Sequence, residues 1–284
     1  MKIRYARNAG SWYAGTEASL RKQLEVECFL HTLGPKRIPH LNPKGSRRIV
    51  GLLCPHAGYM YSGPIAAHSY EALAEDGAPK TVVVIGPNHT GMGSGVSIML
   101  EGSWRTPFGD TVIDSEMAKK IQKASSYIDI DEQAHAYEHS IELQLPFLQY
   151  ILGSDFKFVP LCMLLQDLEV AVDVGKAVAS VLQGAAAIVI ASSDMTHYEP
   201  QASAEKKDHA AIEAMSGLDV GELYRAVNSL NISMCGVGPA AAMITASKLL
   251  AAEKGTLLKY VTSGDITRDK SAVVGYCAMV FSKY

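Results

Sequence analysis

The sequence predicts an α/β fold in which a largely parallel central sheet lies between helix layers, with some antiparallel pairing toward the C-terminal end. Two observations carry this. Several runs are continuously apolar, as in "TVVVI" and "AIVIA", the mark of strands covered on both faces. Those runs alternate with helix-length amphipathic segments, the pattern of strands joined by crossover helices. A composition of 48% hydrophobic and 19% charged residues supports a packed core and excludes a disordered chain.

Taken in order, "TEASLRKQLEVECFL" predicts a first helix over Thr16 to Leu30, and "IVGLLC" a first buried strand over Ile49 to Cys54. Between them "GPKRIPHLNPKGSRR", Gly34 to Arg48, is rich in Pro, Gly and basic residues and reads as a surface loop. Further strands are expected at Thr81–Ile85, Val96–Leu100, Phe158–Cys162, Ala187–Ala191, Leu257–Thr262 and Ala272–Phe281. Helices are expected at Pro64–Ala74, Ser115–Ala124, Ser140–Leu152, Glu169–Leu182, Ala204–Ala214 and Pro239–Ala252, the last ending at Gly255 as a C′ residue. No repeat or low-complexity segment divides the chain, so residues 1–284 are read as one domain.

A net charge of −3 and a pI near 6.3 provide no basic footprint for nucleic acid or anionic membranes. The start "MKIRYARNAGSWYAG" lacks an apolar signal core, and no uncharged apolar run reaches membrane-spanning length. A cytoplasmic protein is expected. The five cysteines, Cys28, Cys54, Cys162, Cys235 and Cys277, are odd in number and without a CxxC, which argues against a disulfide framework or a zinc ribbon.

Ligand sites in open α/β sheets gather outside the carboxyl ends of strands. Three predicted strands exit into titratable groups: His56 after "LLCP", His89 after "IGPN", and Asp194 and His197 in "SSDMTH". A single histidine is equally at home as a packed core residue, but three exits of the same chemistry point to a shared site. Cys235, in "MCGVGP", stands at the mouth of a helix, where backbone N–H groups would lower a thiol pKa; it can equally be a buried cysteine before a glycine turn. Two histidines and a cysteine are competent ligands for iron, copper or zinc. In "AHAYEHSIELQ", a continuous helix would align His135, His139 and Glu142; because Glu138 reads as a helix start, His139 is instead placed as a pocket or supporting residue. Asp194 next to His197 suggests a carboxylate that orients a general base, or a cap for the following turn. No G-x-S-x-G, G-x-G-x-x-G, Walker A or HExxH motif occurs.

"AGSWY", "PHAGYMYSG", "GPNH", "WRTPFG", "EHSIELQLPF", "SSDMTHY" and "CGVGP", in this order across nearly the whole chain, together resemble the Memo family, which is similar in fold to class III, non-haem-iron extradiol dioxygenases. The resemblance implies one metal ion on His56, His89 and Cys235, with His197 in the acid/base position, Asp194 beside it, and Trp12, Tyr59 and Tyr61 at the pocket mouth. Dioxygenases of that class place a carboxylate where this chain has Cys235. Thiolate is softer and more readily oxidised than carboxylate, which favours copper, zinc or a redox-tuned iron over a simple oxygen-activating ferrous site; among these, iron or copper is expected ahead of zinc. Three functions follow as expectations: a metal-dependent oxidoreductase, a module binding a small molecule or a tyrosine or phosphotyrosine peptide, and a zinc-dependent hydrolase. Prokaryotic members often accompany radical SAM proteins, so such a protein is an expected functional partner.

Overall fold

The computed structural model describes residues 2–284. The strands are β1 (Ile3–Tyr5), β2 (Ile49–Cys54), β3 (Thr81–Pro87), β4 (Val96–Ile98), β5 (Ser103–Thr106), β6 (Gly109–Val112), β7 (Ile128–Ile130), β8 (Lys157–Met163), β9 (Ala187–Ser192), β10 (His197–Glu199), β11 (Lys254–Thr262) and β12 (Val273–Ser282). The helices are α1 (Glu17–Lys22), α2 (Tyr59–Asp76), α3 (Ser115–Ala124), α4 (Leu145–Leu152), α5 (Leu168–Leu182), α6 (Gln201–Ser216), α7 (Val220–Leu230), α8 (Val237–Leu249) and α9 (Ser263–Thr267).

The continuous apolar runs become the middle of one mixed sheet, ordered β10-β12-β2-β9-β3-β8-β4-β7, with β11 on β12. β2, β9, β3 and β8 are parallel, and each is buried along almost its whole length. Antiparallel pairs flank them on both sides: β12 on β2, as expected near the C-terminus, and also β4 on β8. Helices cover the sheet. α3, α5, α7 and α8 pack in one group, with α8 against β2, β3 and β9; α2 packs with α4, β2 and β12. One contiguous core runs from Tyr13 to Phe281.

Several boundaries differ from the sequence reading for identifiable reasons. The first helix is α-helical only to Lys22 and continues as a π-helix over Gln23–Phe29. α2 begins at Tyr59, so Pro64 sits inside it rather than in its first turn. The expected helix over Ser140–Leu152 starts with a 3-10 turn, Glu142–Gln144, before α4. Gly255 is no helix C′ residue: α8 stops at Leu249, Ala251 takes the left-handed conformation at φ 69°, and Gly255 is already in β11. β1, β5 and β6 form a separate three-stranded sheet whose strands are too short to show a period. Among the described residues no helix is long and apolar enough to cross a membrane.

Candidate metal centre

β9 lies between β2 and β3, and the register sets Cys54 level with Ser192 and Ile85 level with Ala191. Three neighbouring parallel strands therefore end side by side, and their exits deliver His56, His89 and Asp194 to one place. A cavity of about 520 Å³ opens there, lined by all three together with Trp12, Tyr61, His139, His197, Tyr198 and Cys235. A close packing requirement brings in the remaining elements. A side chain at Gly86 would collide with Ser140, and one at Gly236 with Ser192 and Ser193. Glycine at these points lets the 138–144 segment and the start of α8 approach the strand ends.

His56, His89 and His139 each offer a ring nitrogen, and these lie within 4.8 Å of one another. The ring centroids are 5.2 Å (His56 to His89), 5.4 Å (His56 to His139) and 4.4 Å (His89 to His139) apart. The hydrogen bonds fix which nitrogens face inward. The Ser192 hydroxyl donates to the Ser140 carbonyl at 2.8 Å and accepts from the Gln144 amide at 2.7 Å, so its bond with His56 Nδ1, 2.8 Å, is one that the ring donates. Nε2 of His56 is left as a lone pair, 3.3 Å from Cys235 Sγ. His89 Nδ1 lies 2.9 Å from Glu138 Oε1, which can only accept from it, and His89 Nε2 is likewise free. A ring whose far nitrogen donates to a hydroxyl or carboxylate is the arrangement by which proteins orient metal-ligating histidines.

Burial keeps two of the rings neutral. Burial, helped by the neighbouring His139 and His89, holds His56 well below the ordinary histidine pKa. Burial also lowers His139 to about 4, against the pull of the Glu138 carboxylate. Burial alone would raise Glu138, but the His89 hydrogen bond and the adjacent imidazoles outweigh it and keep the carboxyl well below its usual range. Three imidazoles on converging loops fit a transition-metal ion by donor type, and His56 and His89 do so by orientation as well.

The comparisons with known proteins decide the relationship. The Memo-like protein family matches residues 4–280. The chain belongs to the Memo family. It is 50% identical to MEMO1 family proteins from Methanopyrus kandleri, covering 97% of each chain, and from Methanothermobacter thermautotrophicus, covering 96% of this chain and 98% of the other. It is also similar to the crystal structure of uncharacterized protein JW3007 from Escherichia coli K12, with a TM-score of 0.54 at 14% identity over 82% of this chain and 100% of that one. That likeness concerns the fold.

Within this Memo chain the expected residues fall out unevenly. His56, His89, Asp194, His197 and Cys235 all line the cavity, as do Trp12 and Tyr61. His139, expected as a pocket or supporting residue, lines the cavity and presents its ring to the other two, with the Trp12 ring tilted against it at 4.3 Å between centroids. Tyr59 is not at the mouth: its ring is buried in the core and its hydroxyl donates to the Leu143 carbonyl at 2.6 Å. Asp194 does not orient His197. Its Oδ1 accepts from the His56 backbone N–H at 2.8 Å, while His197 Nδ1 donates to the Ser233 carbonyl at 2.9 Å. The helix mouth does not lower the Cys235 thiol pKa either, because burial and the Asp194 carboxylate push it up. His135 is buried under Trp104, away from the cavity, and Glu142 pairs with Arg4. Sequence reasoning missed Glu138 and Ser192 as orienting groups. The only available signal was their place beside His139 and Asp194.

Proposed function

We propose that this Memo protein is a metal-dependent oxidoreductase in which His56, His89 and His139 hold one iron or copper ion and Cys235 completes the set from the His56 side. The observation that carries the reading is the pair of oriented imidazoles, His56 on Ser192 and His89 on Glu138, which turn their free nitrogens into one cavity. This ligand set adds His139 to the histidine and cysteine positions expected from sequence. When bound, the ion would supply redox and Lewis-acid chemistry for oxygen and a small phenol-like substrate.

The surrounding residues suit that task. His197 donates from Nδ1 to Ser233, leaving Nε2 as a base facing the cavity. Burial raises the Asp194 carboxyl above the usual carboxylate range, against the backbone N–H of His56. Trp12 and Tyr61 form apolar walls that take a ring face and exclude water. Oxygen uptake by iron- and copper-loaded protein with a panel of phenols and catechols tests the reading. Turnover should disappear in His197→Asn while metal content is unchanged. Stoichiometric zinc with hydrolytic turnover would replace this assignment by a hydrolase.

A second reading draws on the exposed rim, where Met60 is 62% and Tyr198 78% accessible. Such a rim suits a peptide whose tyrosine or phosphotyrosine side chain enters the cavity without turnover. Metal-free protein that binds tyrosine peptides as tightly as loaded protein would favour it. We also propose that this Memo protein associates with a radical SAM protein, which co-purification checks.

A further inference from the structure

The segment that carries Glu138 and His139 has almost no regular structure: a 3-10 turn at Gln133–His135, then irregular backbone to the turn at Glu142–Gln144. Its buried carbonyls need donors from elsewhere. They come from the start of the chain. β1 pairs in parallel with β5, which sets Arg4 level with Trp104, and the Arg4 guanidinium lies 4.0 Å above the Trp104 ring centroid. From there it donates through Nε to the His135 carbonyl at 2.7 Å, through one terminal nitrogen to the Glu138 carbonyl at 2.7 Å, and through the other to Glu142 Oε2 at 2.6 Å. The arginine side chain is 7% exposed and Glu142 1%, so little solvent can replace these bonds.

The same segment sets the site. Glu138 Oε1 accepts from His89 Nδ1 and from the backbone N–H groups of His139 and Ser140, while Oε2 accepts from the His89 N–H at 2.6 Å. Where the Glu138 backbone sits decides whether its carboxylate can reach His89. The guanidinium serves two carbonyls and a carboxylate from three separate nitrogens of one rigid plane; a lysine ammonium at the same place keeps the charge and three donors but gathers them on one nitrogen and loses that spread.

We propose that Arg4 is a positioning residue for the imidazole cluster, locking the 135–142 backbone so that Glu138 fixes the tautomer of His89 and the seat of His139. The metal part of this inference rests on the reading above; the tautomer part does not. The test uses the full-length protein with Arg4→Met and Arg4→Lys. Long-range ¹H–¹⁵N spectra of metal-free, ¹⁵N-labelled protein report the ring tautomers, assigned with His89→Asn and His56→Asn. Wild type should show both rings protonated at Nδ1. In Arg4→Met the His89 signal should pass to a mixture of tautomers while His56, held by Ser192, is unchanged, and Arg4→Lys should fall between. Cobalt(II) titration should show affinity reduced about tenfold in Arg4→Met and less in Arg4→Lys, in line with other groups that orient metal ligands. Leu182→Ala, a core change at the opposite end of the sheet, should lower stability without either effect. Wild-type His89 tautomers in the arginine variants, or equal disturbance of His56 and His89, would overturn the proposal. If Arg4→Met does not fold, Arg4→Lys decides it. If wild type takes up no cobalt, the metal reading fails while the tautomer spectra still judge Arg4.

Discussion

His56 and His89 leave the ends of β2 and β3 on either side of β9 and turn the same nitrogen into the same cavity, yet they are held by opposite means. His56 donates to a neutral hydroxyl that is itself the product of regular structure, since Ser192 is the last residue of β9. His89 donates to a buried carboxylate on an irregular segment that Arg4 must tie down from more than 130 residues away. On the strand-built side the ring itself donates to a neutral hydroxyl, and the Asp194 carboxylate takes only the His56 backbone N–H. The loop-built side needs charge, and charge buried with few alternatives is costly to disturb.

That difference ranks the expected effects. Glu138→Ala should be the most damaging, because four N–H donors lose one shared acceptor: we expect about a hundredfold loss of metal affinity and roughly 3 kcal/mol or more of stability, read by competition titration and chemical denaturation. Metal-free protein should also lose stability in acid. His139 has a folded pKa of about 4, below the ordinary histidine value. The unfolded chain therefore takes up the proton first as pH falls from about 6.5 toward 4, and stability drops across that window by on the order of 3 kcal/mol from this residue. A denaturation series in pH, repeated with His139→Asn, should show a flatter curve for the variant. Ser192→Ala should cost less than Glu138→Ala, about tenfold in metal affinity, since a neutral acceptor is removed and water can replace a hydroxyl. Equal losses in the two variants would erase the contrast between the two sides. Trp12→Ala should be mildest, under about threefold in metal affinity, because the indole covers His139 from a partly exposed position without accepting any of its bonds.

The same contrast explains what could be read from sequence. β2, β3, β8 and β9 are legible because burial on both faces writes a continuous apolar run, and a histidine just past such a run is conspicuous. His56, His89 and His197, which all line the cavity, stand out in this way. Tyr61 faces the cavity as expected and Tyr59 does not: once α2 begins at Tyr59 the two point about 200° apart around the helix, so Tyr59 enters the core. Cys235 lines the cavity, and of its two sequence readings the buried cysteine before a glycine turn agrees with a thiol that burial and Asp194 push up. Arg4 left no local signal at all. Its role exists only because a three-residue strand pairs with β5 and sets a guanidinium over Trp104, a contact that no spacing along the chain announces.

The central claim is that three imidazoles, His139 among them, hold a metal ion. Metal analysis of protein purified anaerobically without chelator, beside His139→Ala and Cys235→Ser, tests it most directly. The account predicts near-stoichiometric iron or copper in wild type, lost in His139→Ala and weakened in Cys235→Ser. Full occupancy in His139→Ala, or wild-type protein that holds no metal while correctly folded, would contradict it.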